Sequence, residues 1–278
     1  MWHRNPVIRK PETDYDLAAS HRSAANKALI EGLRSRVFKH YTDYPKLREA
    51  PWDYNDELPL GPAERKALIS NYDLLSRGRP LASLRDEILA SARNGLCAFC
   101  GRNDVSTIDH FLPKEKFPEY SILIDNLIAA CPRCNQKKRD GVGVPGRRYI
   151  YPSTSPLACS PLLTCIVTVE DGTPYFDFEG SSSLDPEVRQ CVEFHLDTLE
   201  LRDSFSIGAL NELLEKIDLF RELFEIGGTA ELLVQLNRCK SSIVKNFGVS
   251  FWKVAVYEGL INCAEFTQDP VSATTCLV

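Results

Sequence analysis

Two Cys-x-x-Cys pairs, Cys97/Cys100 and Cys131/Cys134, stand thirty residues apart and constrain the chain more than any other feature. A Cys-x-x-Cys knuckle places two sulfurs on one tight turn. Two such turns facing each other supply the tetrahedral four-sulfur shell of a structural zinc ion. That shell is closed and leaves no position for water. The zinc is therefore expected to hold the fold, and chemistry has to come from residues between and beside the knuckles.

Those residues form a dense pattern: Asp109-His110-x-x-Pro113-Lys114, then Asp125-Asn126-Leu127, then Cys131-x-x-Cys134-Asn135-x-x-Lys138. The pattern resembles the HNH endonuclease family in its zinc-stapled ββα-metal form, over about a sixth of the chain. In that family the first knuckle leads into a β-hairpin whose second strand ends at the Asp-His pair. A loop bearing the middle Asn follows, and a helix carries the last ligand. The resemblance implies that His110 is a general base, that Asp109 and Asn135 bind a catalytic divalent ion, and that Asn126 pins the loop through backbone hydrogen bonds. The final His of the family name is Asn135 here, a neutral oxygen donor suited to Mg²⁺ or Mn²⁺ rather than zinc.

The residues lead to the same chemistry without the family. Phosphodiester hydrolysis needs an activated water and a cation to neutralise charge on the phosphorane. His110 is the only histidine between residues 41 and 194, and imidazole titrates near neutrality. Asp109 places a hard anionic oxygen beside it. Adjacent strand residues point to opposite faces, so both reach one phosphate only where the strand ends or twists; Pro113 is consistent with such an ending.

From Arg133 to Arg148 six basic residues face one acid. That stretch predicts a phosphate-backbone patch, with Lys114, Lys137, Lys138, Arg139, Arg147 and Arg148 as candidate DNA contacts. The chain as a whole carries a net charge of −5, so any DNA-binding surface must be local. Twelve acids against four bases between Asp185 and Glu231 repel nucleic acid and suit docking on a protein. A competing reading is a non-catalytic zinc module that binds nucleic acid or a protein through the same basic helix. A third is the nuclease effector of a bacterial anti-phage defence system, paired with an ATPase-type sensor subunit through the acidic C-terminal helices.

Hydrophobic residues make up 44% of 278, enough for a sizeable core. No apolar run approaches the roughly 20 residues that cross a bilayer, and the first residues lack a signal-peptide core. A cytoplasmic, reducing location is expected, with Cys159, Cys165, Cys191, Cys239, Cys263 and Cys276 as free thiols acting as small apolar residues.

The expected fold class is α+β: a ββα-metal core with structural zinc, flanked by mainly α-helical regions. Residues 1–94 read as an N-terminal helical layer, 95–148 as the nuclease module and 149–278 as a C-terminal hairpin plus helices. In the layer, helices are expected over 14–39 with Thr13 as N-cap, 62–76 and 82–93, the last capped by Gly95. Residues 44–62, rich in proline and aromatics, read as an irregular connector. Gly141 to Gly146 reads as a flexible hinge. Beyond it, Thr164–Val169 and Pro174–Phe178 flank Asp171-Gly172 as a hairpin. Asp185-Pro186 opens a helical tail, with helices through Leu210–Phe224, 230–247 and 251–266.

Overall fold

The structure is a computed structural model and describes residues 4–54, 59–152 and 160–277. It divides into two compact units, 2–154 and 155–278 together with Met1.

The first unit opens with α1 (Pro11–Ser20) and α2 (Ala24–Leu47). One helix over 14–39 was expected, and the chain makes two. The polar run Ser20-His21-Arg22-Ser23 competes for the backbone: Ser20 Oγ donates to Leu17 O, and the Arg22 guanidinium reaches across to Asn71 Oδ1 at 3.1 Å. Lys10, not Thr13, occupies the N-cap. At its other end α2 runs on through Tyr44 and Pro45, which the sequence assigned to the connector. The buried Tyr44 ring packs edge-on against Tyr120, 5.1 Å between centroids, and tertiary packing of this kind offsets the missing proline N–H.

Pro62 starts α3 (Pro62–Ser70), where Glu64 reaches back to accept from the Gly61 N–H at 2.6 Å. A 3-10 turn over Asn71–Leu75 completes the expected 62–76 segment. Next comes α4 (Ala82–Ala90), ending three residues short of expectation; Asn94 and Gly95, both at positive φ, close a separate short turn before the first knuckle.

The sheet of this unit pairs β1 (Thr107–His110) with β2 (Leu127–Ala130), antiparallel, with Asp109 opposite Ile128 and His110 opposite Leu127. The partner of the Asp-His strand thus lies after the Asn126 loop, while the knuckle itself contributes a single bridge, Leu96 to Asp104. The helix α5 (Pro132–Lys138) follows β2 directly. Ile30, Leu33, Leu68, Leu84 and Ile88 from the helices share one core with Ile108, Leu127 and Ala129 from the sheet. Each fully buried aliphatic side chain contributes about 1.5–3 kcal/mol, so the helical layer and the sheet stabilise each other. The glycine-rich segment after α5 is a closed turn: Val144 and Arg147 exchange backbone hydrogen bonds of 3.0 and 2.9 Å. Gly143 has φ +86, and a Cβ there would lie 2.3 Å from Arg147 O.

The second unit is built on the hairpin β3 (Leu163–Glu170) and β4 (Thr173–Gly180). Asp171 and Gly172 both take positive φ, as a tight two-residue turn requires. The helices are α6 (Pro186–Thr198), α7 (Leu201–Leu214), α8 (Ile217–Phe247), α9 (Trp252–Asn262) and α10 (Ala264–Gln268). Phe178, Phe205 and Trp252 stack in its core, the last two nearly parallel at 5.6 Å. A Cβ on Gly259 would come within 2.5 Å of Cys165 O, so the absent side chain lets α9 approach β3. Glu212 is buried and compensated by Lys216, Lys253 and the Tyr257 hydroxyl. Cys165, Cys191 and Cys263 are core residues as expected; Cys239 is half-buried and Cys276 is exposed. Cys159 lies outside the described residues. Among the described residues no helix is long and apolar enough to cross a membrane.

Candidate active site

The two knuckles meet. Gly101, at φ +63, donates to Cys97 O at 2.7 Å and closes the first. In the second, Cys131 is the N-cap of α5, Pro132 opens the first turn, and Cys134 N–H points at Cys131 Sγ at 3.4 Å. All four sulfurs are buried and lie within 4.8 Å of one another. Zinc–sulfur bonds of about 2.3 Å in a tetrahedron require sulfurs roughly 3.8 Å apart, so the four cysteines fit a zinc ion. The Cys131 thiol is pushed below its ordinary range by hydrogen bonds from the Cys100, Cys134 and Cys97 thiols and the Cys134 N–H. Asn103 Nδ2 adds a further donor at 3.6 Å. The same shared hydrogen bonds push the Cys97 and Cys134 thiols up, and a metal ion at the centre would hold all four as thiolates.

The Asp-His pair closes β1. His110 is nearly buried, and its Nε2 lies 2.9 Å from Ser121 O. A carbonyl can only accept, so Nε2 carries the proton and the lone pair sits on Nδ1. Tyr72 covers the imidazole with ring centroids 4.5 Å apart, and its hydroxyl donates to Ile108 O at 3.0 Å. Burial pushes the imidazole down to about 4. It is neutral at pH 7.

The Asp109 carboxylate meets α5. Lys138 Nζ, fully buried, stands 3.0 Å from Asp109 Oδ2 and donates to His110 O at 2.7 Å. The ion pair is close but poorly directed, and Asp109 Oδ2 has no hydrogen bond. Burial raises the Asp109 carboxyl, opposed by the Lys138 charge. Asn135, one helical turn before Lys138, is half-buried and donates through Nδ2 to Ile108 O at 3.4 Å. The Asp109 carboxylate and the Asn135 carboxamide are hard oxygen donors of the kind a divalent cation takes, and the Lys138 ammonium now neutralises the carboxylate. Their donor chemistry is that of the divalent ion the family resemblance implies, which would have to displace the Lys138 ammonium from Asp109.

Asn126 is wholly buried with its amide saturated. Oδ1 accepts from Leu112 N at 2.7 Å and Tyr44 OH at 3.0 Å; Nδ2 donates to Leu112 O at 2.9 Å and Tyr120 O at 3.1 Å. It ties the two ends of the loop together and has no capacity left for a ligand. Tyr44→Phe is expected to lower stability by about 0.5–1.5 kcal/mol, read as a shift in urea denaturation; an unchanged midpoint would show that the helical layer does not hold Asn126. Arg4 braces the same loop, donating to Leu127 O at 2.9 Å and Tyr151 OH at 2.8 Å. Sequence reasoning missed Tyr44, Tyr72, Ser121 and Arg4, and no local motif marks them.

The basic candidates separate. Lys137, Arg139 and Arg147 are exposed. Lys114 pairs with Glu115, and Arg148 with Glu49 at 2.6 Å. Lys138 departs from the expected phosphate contact: its ammonium is spent on Asp109 and His110 O and does not face solvent.

Comparison with known proteins agrees with the geometry. Protein ea31 of Escherichia phage lambda is 23% identical over 209 residues, covering 70% of each chain. No solved structure matches. Residues 97–141 match the family described as HNH endonuclease. With the four-cysteine cluster at one end of that segment's sheet and Asp109-His110 on its first strand, this chain carries an HNH endonuclease domain.

Proposed function

We propose that the chain hydrolyses DNA phosphodiester bonds in a metal-dependent reaction. The observation that carries this reading is the His110 geometry: Nε2–H is committed to Ser121 O, and Nδ1 has no protein partner among the described residues. Nδ1 takes a proton from the attacking water. The Ser121 carbonyl then stabilises the imidazolium that forms, and Tyr72 excludes bulk water from the ring. A value near 4 belongs to the site without DNA; an approaching phosphate adds negative charge, which favours the protonated ring. When bound, one Mg²⁺ or Mn²⁺ on Asp109 and Asn135 supplies positive charge for the phosphorane and the leaving oxygen. Asn126 positions the loop. Lys137, Arg139 and Arg147 hold the phosphate backbone, with Lys114 and Arg148 joining once their partner carboxylates release them.

In the same proposal the chain is a cytoplasmic effector of a bacterial anti-phage defence system, docked to an ATPase-type sensor through the acidic C-terminal helices α6 and α7. The support is the charge of that stretch. The reading is tested by incubating plasmid with purified protein and Mg²⁺ or Mn²⁺: nicked or linear product supports it. An intact plasmid at every ion concentration would return the module to a non-catalytic zinc domain. Asn135→Ala is expected to keep one zinc per chain and to raise the Mg²⁺ concentration needed for half-maximal cleavage by about tenfold, the effect of losing one oxygen donor. An unchanged requirement would remove Asn135 from the metal site.

A further inference from the structure

The helix α8 has one face covered and one bare. The chain that returns along it keeps step from end to end: Lys240 pairs with Glu258 at 2.6 Å, Thr229 Oγ1 donates to Thr267 O at 2.9 Å, and Arg221 donates to Thr274 O at 2.9 Å. Gly228, at φ +64, marks a kink between two helical segments, and contacts with the returning chain lie on both sides of it. The opposite face exposes Leu219 at 43%, Ile226 at 73% and Val234 at 43%. Ala230, between them, is exposed as well.

The charge along α8 is polar. Residues 217–231 hold four acids and one base, whereas 232–247 hold three bases and no acid. Charges on the covered side are consumed within the chain, as in the Lys240 and Arg221 contacts. Glu215, Glu222, Arg238 and Lys245 are exposed, and none makes an ion pair within its own chain among the described residues.

We propose that this face pairs with the same face of a second copy, the two α8 helices antiparallel about a two-fold axis near Ala230. Laying Ile226 opposite Val234 puts Glu222, one turn before, opposite Arg238, one turn after, and each contact occurs twice. Ala230 meets its own equivalent, a small residue where the axes come closest. A parallel arrangement would set like charges together. DNA and anionic membranes are repelled by the acidic half. A foreign helix would have to carry the inverse polarity, which this chain already supplies. The dimer brings two HNH modules into one particle.

The test is the mass of the full chain, purified with zinc, by size-exclusion chromatography with light scattering. Twice the 31.3 kDa chain mass is expected. Ile226→Asp and Arg238→Glu should each raise the dimer dissociation constant by at least about tenfold, since an apolar contact or a charge pair becomes unfavourable on both sides of the axis. Adding Glu222→Arg to Arg238→Glu should restore most of the affinity. Circular dichroism and zinc content, unchanged in all variants, report that the fold is intact. A monomeric wild type, a dimer indifferent to these substitutions, or a different protein seated on this face in a one-to-one complex would each overturn the proposal. The readout is independent of cleavage, so its failure leaves the nuclease reading standing.

Discussion

His110→Ala is expected to keep the fold and the zinc while lowering DNA cleavage by roughly 10²–10⁴-fold, the range that loss of a general base produces. The separation follows from position. His110 is not a zinc ligand, and the four sulfurs form a closed cluster of their own. The ring fills space under Tyr72 and bonds Ser121 O, so some loss of stability accompanies the change. His110→Asn and His110→Gln replace the ring by polar side chains that are not bases at neutral pH, and they should be as inactive as Ala. Plasmid cleavage kinetics, read beside zinc content, decide the matter. Cleavage at the wild-type rate by any of the three would remove His110 from the chemistry.

The second large effect concerns the four cysteines. Cys97→Ser or Cys134→Ser should release one zinc per chain and unfold the first unit. Metal binding at a structural four-sulfur site is worth about 10–16 kcal/mol, as much as the whole folding stability of an ordinary domain, about 5–15 kcal/mol. Both knuckles join the sheet directly: Ala98 N–H donates to Ala129 O at 3.3 Å, and Cys131 follows β2 without a linker. Loss of the ion therefore acts on the same strands that carry Asp109 and His110. Elemental analysis and thermal denaturation with and without a chelator measure both parts. Folded, zinc-free protein with a wild-type melting temperature would refute the zinc assignment.

The cysteine spacing made the four-sulfur cluster legible because four soft ligands in two turns have few other uses. Asp109, His110, Asn126 and Asn135 could be singled out because a dense motif gathers them within one short segment. The hairpin around Asp171-Gly172 was legible because its turn demands positive φ at two positions. What stayed hidden was held by long-range contacts. Nothing near Tyr72 or Tyr44 in the chain announces that their rings and hydroxyls reach His110 and Asn126, 38 and 82 residues away. The continuation of α2 through Pro45 broke a local rule, because tertiary packing decided there and not propensity. Lys138 read as one member of a basic run, and only the fold showed its ammonium turned inward onto Asp109.

The bracing of the Asn126 loop by Arg4 and Tyr44 bears on portability. An enzyme whose reactive segment were self-sufficient could be cut from its host and spliced into another chain. Here the cassette from 95 to 148 would leave behind Tyr72 over the imidazole, the hydroxyl on Asn126 and the guanidinium under Leu127 O. It would also bare Ile108, Leu127 and Ala129, whose partners belong to the preceding helices. Exchange between genes would then have to move the first 150 or so residues as one inherited block. Substitutions far upstream, in α2 or the turn before α4, would be felt as defects of the Asn126 loop and the His110 ring.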